Sequence, residues 1–90
     1  MEDPDEAEWN WIKPHLARDA VILVSSRLGL PEVGKRIATD DTETVKTWLD
    51  QGLIAKPTKE QIEHWERDSK ARFLVLVIQP YVLVQEVNYN

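Results

Sequence analysis

The sequence predicts an α+β fold of the winged-helix type, and three observations support this prediction. The segment Leu30–Pro57 reads as two short helices that meet at a tight turn, which is the outline of a helix-turn-helix core. The β-branched run Ala20–Val24 is too short for an independent helix and is typical of a strand covered on both faces. The apolar run Phe73–Val84 contains Pro80, which cannot donate to a ladder, so it is predicted to be two strands. We therefore expect three to four short helices packed on a small antiparallel sheet made of Ala20–Val24, Phe73–Ile78 and Tyr81–Val87.

The first helix is predicted to open at the acidic N-terminal segment. Asp3 can cap it, Pro4 suits its first position, and Glu6 can close a capping box. Pro14 removes one backbone donor, so we expect a kink or interruption near Asn10 and a break before His15. The apolar stripe of this helix is formed by Trp9, Ile12 and Leu16.

The first helix of the central pair begins at Pro31. Val33 and Ile37 lie on its inner face, and Gly34 is small enough to let another helix approach closely. Asp40 and Glu43 are spaced as a capping box for the second helix.

The second helix of the pair is predicted to bury Val45, Trp48 and Leu49 and to stop at Gly52, so that Leu53 folds back on Trp48. Thr58 and Gln61 mark another capping box. The surface helix that follows turns only Ile62 and Trp65 inward.

Length and charge limit the classes of function. Ninety residues suit one domain, taken here as residues 1–90 with residues 1–3 as a disordered tail, and the absence of Cys excludes disulfides and thiolate metal sites. The net charge of -5 is concentrated at the N terminus, where five acids precede Trp9 and leave eleven acids and eleven Lys or Arg for the rest. With no signal peptide or apolar membrane span in the sequence, we expect a soluble cytoplasmic protein without a cofactor.

Two parts of the sequence are unusually specific, namely the block Gln79–Leu83 and the stretch from Ile37-Ala38-x-Asp40-Asp41 to Lys56-Pro57. They belong to a wider set of distinctive residues, which are Trp9, Trp11, Pro14-His15, Arg18–Val21, Glu32–Gly34, Ile37-Ala38, Asp40-Asp41, Val45, Trp48, Leu53–Pro57, Trp65 and Ile78–Glu86. In these residues the chain resembles a family of small bacterial proteins known only as a domain of unknown function. This resemblance implies a cytoplasmic bacterial protein and carries over no catalytic or binding residue.

Nucleic-acid binding is the first function that the helix pair suggests. Such binding would use four basic side chains of this region, namely Arg27, Lys35, Arg36 and Lys46. However, the turn at the start of the second helix is Asp40–Glu43, whose three acids would repel phosphates. A weak nucleic-acid-binding regulator is therefore the alternative rather than the main prediction.

Metal binding and catalysis have one candidate each. Glu60, His64 and Asp68 have the spacing of one helix face, but metal sites usually draw ligands from more than one element, so a surface ion pair is the preferred interpretation and no metal is predicted. A small enzyme or ligand sensor could instead centre on His15, with Asp19 orienting the ring and Arg18 holding an anion. The alternative is a partly buried structural histidine bonded to Asp19 or to a backbone carbonyl, and no catalytic residue is predicted.

Protein–protein interaction is the main prediction. Trp11 lies off the apolar stripe of its helix, so it either covers the core edge or contacts a partner. The terminal hairpin is apolar on both faces, and it is covered either by the chain's own helices or by a second copy docking on a strand edge. The predicted function is a non-enzymatic interaction module that forms a homodimer or binds a protein partner through Trp11, His15, Arg18, Asp19, Tyr81 and Leu83.

Overall fold

The computed structural model describes residues 5–68 and 70–87, and within them the chain forms four helices and a five-stranded mixed sheet. The sequence prediction of an α+β class is confirmed. The elements in chain order are β1 (Asp5–Glu8), α1 (Trp9–Leu16), β2 (Val21–Val24), α2 (Leu30–Ala38), α3 (Thr42–Asp50), β3 (Ile54–Ala55), α4 (Lys59–Arg67), β4 (Arg72–Ile78) and β5 (Tyr81–Glu86).

The strand order in the sheet is β1-β4-β5-β2-β3. β4 and β5 form the predicted hairpin, β2 joins β5 in parallel, and the two outer strands pair antiparallel with their neighbours. The predicted sheet of three antiparallel strands was therefore too small, because it lacked β1 and β3. It also had the wrong direction for the pairing of β2 with β5, which is parallel. The winged-helix assignment is not confirmed, because this sheet is larger than expected and carries helices on both faces.

Helices α1 and α4 cover one face of the sheet. Trp9 of α1 and Trp65 of α4 lie 5.2 Å apart between ring centroids, and both pack on Phe73 of β4. The indole N–H groups of the two tryptophans donate to Glu66 and Glu86, so neither aromatic side chain is buried with an unpaired donor. The cluster consists of Trp9, Ile12, Val21, Trp65, Phe73, Val75, Val82 and Val84.

Helices α2 and α3 cover the opposite face. Gly34 lies against β4, where an added Cβ would be only 2.8 Å from Cδ2 of Leu76. The close approach predicted at Gly34 therefore exists, but it is made to the sheet rather than to another helix. The buried residues of this second cluster are Val24, Leu30, Val33, Ile54, Leu76 and Leu83.

The N-terminal segment differs from its prediction. Asp3, Pro4 and the predicted tail lie outside the described residues, while Asp5–Glu8 form a strand paired with β4, where Arg72 approaches Glu8 at 3.3 Å. Pairing and charge attraction with a distant strand thus override the local capping pattern. Helix α1 begins at Trp9 and continues past Pro14 to Leu16, so the predicted break before His15 is wrong. Asn10, whose carbonyl loses its helical partner at Pro14, is exposed to water.

The turn between α2 and α3 is built differently from the predicted box. Asp41, not Asp40, is the N-cap of α3, and its carboxylate accepts from the backbone N–H of Thr44. At the other end of α3, Gly52 has φ +73. The N–H of Gly52 donates to the carbonyl of Leu49, and the N–H of Leu53 donates to the carbonyl of Trp48. These two bonds form a Schellman motif, which confirms the predicted stop at Gly52.

The capping box at the start of α4 is confirmed in both of its hydrogen bonds, between Thr58 and Gln61. In contrast, the proposed docking edge on the hairpin is wrong, because β4 and β5 are inner strands of the sheet. The sheet edges in the described part of the chain are β1 and β3. None of the described helices has the length and apolar character needed to cross a membrane.

Candidate protein-binding groove

A groove of about 410 Å³ lies between the helix pair and the sheet. One wall is made by the end of α2 and by α3, and the other by β2, β3 and the start of β5. Its surface is largely aliphatic because these elements also build the second core cluster, which the groove overlaps at its outer edge. The apolar side chains that line it are Ile22, Ile37, Val45, Leu49, Ile54, Ala55 and Tyr81.

Two large side chains of this groove remain exposed. Leu49 is 53% exposed and Tyr81 is 40% exposed. The sequence predicted Leu49 to be buried with Val45 and Trp48, and this prediction is wrong. Val45 and Trp48 are partly buried against the core, whereas Leu49 is exposed because α3 packs on α2 and on the edge strand β3 rather than over the centre of the sheet.

An ion-pair network holds the acidic turn at one end of the groove. Arg36 binds Glu32 at 3.1 Å and Asp41 at 3.0 Å. The hydroxyl and backbone N–H of Thr44, together with the Arg36 guanidinium, hold the pKa of Asp41 below its ordinary value of 3.8. Hydrogen bonding and attraction from Glu32, with a further contribution from Asp41, raise the pKa of Arg36. The single positive charge of Arg36 is therefore shared between the carboxylates of Glu32 and Asp41.

Two lysines stand on opposite walls of the groove. Lys46 is on α3 and has no ion-pair partner among residues 5–68 and 70–87. Lys56 follows β3 and pairs with Asp19 at 2.5 Å, with both side chains well exposed. Because this ion pair is exposed, it contributes little to the stability of the fold.

The six residues predicted to bind a partner do not form one surface. Trp11, His15 and Arg18 lie together near the end of α1, where the Trp11 and His15 rings are 4.8 Å apart and Arg18 donates to Nδ1 of His15. Asp19 bonds Lys56 instead of orienting His15, so the predicted Asp19–His15 pair is wrong. Tyr81 lines the groove. Leu83 is 0% exposed in the core, so it cannot touch a partner directly as predicted.

The four basic residues that were predicted to bind nucleic acid in the alternative function have different environments. Arg36 is engaged by two carboxylates, and the backbone N–H of Arg27 donates to the hydroxyl of Ser25 in the loop after β2. Lys35 and Lys46 are exposed. On α3 itself, Lys46 shares the solvent-facing surface with the exposed acids Glu43 and Asp50.

Within residues 5–68 and 70–87, no group of three or more metal-binding side chains converges on one point. Helix α4 ends at Arg67, and Asp68 follows it with an extended backbone, so Glu60, His64 and Asp68 do not share one continuous helix face.

Sequence reasoning missed Leu49 and Lys56 as candidate binding residues. The apolar stripe of α3 gave a signal for Leu49, since a short helix at the edge of a sheet cannot bury three large side chains completely. Lys56 could be placed in the groove only once the pairing of β2 with β3 was known.

The fold and the groove together define a small α+β protein with an open, charge-rimmed apolar surface. Residues 1–86 match the family described as Protein of unknown function (DUF2288), and the chain belongs to this family. The resemblance noted in the sequence is thereby confirmed.

The chain is also similar to a protein of known structure from Pseudomonas aeruginosa, PA1075, which was solved in solution by NMR. The two share 31% sequence identity with a TM-score of 0.84, over 97% of this chain and 80% of that chain. No curated protein matches the chain.

Proposed function

We propose that this protein is a non-enzymatic protein–protein interaction module and that the groove beside α3 is its binding surface. The observation that carries the proposal is the exposure of Leu49 and Tyr81 on one apolar groove. An aliphatic and an aromatic side chain left half open in the same concavity are typical of a surface that becomes covered in a complex.

The two sheet edges are less suited to contact a partner. β3 has only two residues and is followed by Lys56-Pro57, while β1 carries three acids in four positions. Short length, charge and proline are the features that keep strand edges from pairing with other chains. These features favour the groove over the sheet edges as the place where a partner docks.

The nucleic-acid alternative has less support. A recognition helix needs positive charge along the surface that meets phosphates. In contrast, α3 places Glu43 and Asp50 beside its single basic residue, Lys46. No feature of the groove favours a polyanion over a protein segment.

Photo-crosslinking in the native cell tests the proposal. Benzoylphenylalanine replaces Tyr81 in the groove, and the same group replaces Glu63 on α4 as a control outside it. We expect a discrete protein adduct from position 81 and none from position 63. The partner is identified by mass spectrometry, purified, and its dissociation constant with this chain is measured.

Two variants of α3 link the adduct to the groove. Leu49→Asp should weaken binding of the purified partner by at least about tenfold, because it places a charge on an apolar contact surface. Thr47→Asp adds the same charge at an exposed position outside the groove and should leave binding unchanged. The proposal is overturned if position 81 gives no specific adduct, or if both variants bind like the original chain. If position 81 crosslinks only to a second copy of this chain, the partner is the chain itself and the complex is a homodimer.

A further inference from the structure

We draw no further inference here: the strongest candidate, the concave surface patch between β1, α1 and β4 where Trp11 and Val77 are exposed, carries no proposal, because two of the three acids beside it pair with Arg72 and nothing in the structure shows what covers it.

Discussion

Glu66 connects the two helices on one face of the sheet. Its carboxylate accepts a 2.8 Å bond from the indole of Trp9 and lies 2.9 Å from the ammonium of Lys13, both on α1. The Lys13 hydrogen bond and then the Trp9 hydrogen bond hold the pKa of Glu66 below its ordinary value of 4.5. A carboxylate with a lowered pKa in the folded state stabilises that state at neutral pH, and this contribution disappears as the pH falls through the folded-state pKa.

We therefore predict that the effect of Glu66→Gln depends on pH. At pH 7 the variant should unfold at a lower urea concentration than the original chain, and the difference should shrink as the pH falls below 4.5, the ordinary value for Glu, and Glu66 becomes protonated. Glu63→Gln on the exposed side of α4 is the matched control and should show no such convergence. A difference that stays constant from pH 7 down to the lowest pH at which both chains still fold would show that the charge of Glu66 does not stabilise the fold.

Gly34 sets the distance between α2 and the sheet. An added Cβ would lie 2.8 Å from Leu76 and 3.2 Å from Ile78, in a well-packed layer. We predict that Gly34→Val lowers the free energy of unfolding by about 2 kcal/mol, because the helix must move away from β4. Ala38→Val, at an exposed position of the same helix, should cost about 0.5 kcal/mol from helix propensity alone. Equal losses for the two variants in urea denaturation would contradict the close approach.

At the scale of the element, Gln85 fastens the loop between β2 and α2 to the sheet. Its side-chain Nε2 donates to the carbonyl of Ser25 at 2.7 Å and to that of Leu28 at 2.6 Å. The amide thus supplies a donor to two backbone acceptors of this loop, whose Ser25 N–H in turn donates to the carbonyl of Leu53. Because this loop leads into α2, the side chain on β5 also fixes where that helix begins.

We predict that Gln85→Leu destabilises the fold by about 1 to 2 kcal/mol, since the Leu28 carbonyl loses the Gln85 donor and the Ser25 carbonyl keeps only the backbone N–H of Leu28. Amide hydrogen exchange should accelerate between Ser25 and Gly29 more than in the rest of the chain. Gln51→Leu, at the exposed C-cap of α3, controls for the change of side chain and should leave exchange in this loop unaltered. Uniform acceleration across the whole chain would mean that Gln85 contributes only to global stability.

Local signals explain which elements could be predicted from the sequence. The stop of α3 at Gly52, the capping box at Thr58 and the hairpin around Pro80 depend on a few adjacent residues, and all three are present. The signal of Asp3–Glu6 was equally local but failed over its described part, because Asp5–Glu8 gain a strand partner more than sixty residues away. Capping patterns are reliable where no distant strand competes for the same backbone.

The candidate site was less predictable than the fold. Tyr81 was chosen for its place in the hairpin and lies in the groove, but Leu83, two residues further, points into the core. Leu49 looked buried because a helical stripe does not reveal how far a helix extends over the sheet. The groove depends on the placement of α3 against β2, β3 and β5, which are brought together only by long-range pairing.

At the scale of the whole molecule, the central position of the β4–β5 hairpin limits the surfaces through which the protein can associate. Its two strands occupy the inside of the sheet, with helices on both faces, so most of the apolar run from Phe73 to Val84 is buried within one chain, while Val77 and Tyr81 remain exposed. The exposed edge at β3 is kept short by Lys56-Pro57. Association through the groove and association through the sheet edge are therefore separable by mutation.

We predict that the double variant Lys56→Val/Pro57→Thr self-associates through β3. Valine removes the charge from the edge, and threonine restores a backbone N–H while favouring an extended conformation, so two copies can pair their edges. Light scattering at micromolar concentration should give a mass of a dimer or more. The lost ion pair with Asp19 is exposed and should cost little stability.

Two controls identify the surface that associates in this variant. Lys35→Val removes one lysine from the exposed side of α2 and should leave the mass unchanged from that of the original chain. Adding Leu49→Asp to the double variant should not reverse its association, because that contact runs through the backbone of β3 and not through the groove. If Leu49→Asp returns the double variant to the mass of the original chain, the new contact lies in the groove, and Lys56-Pro57 does not act by protecting the strand edge.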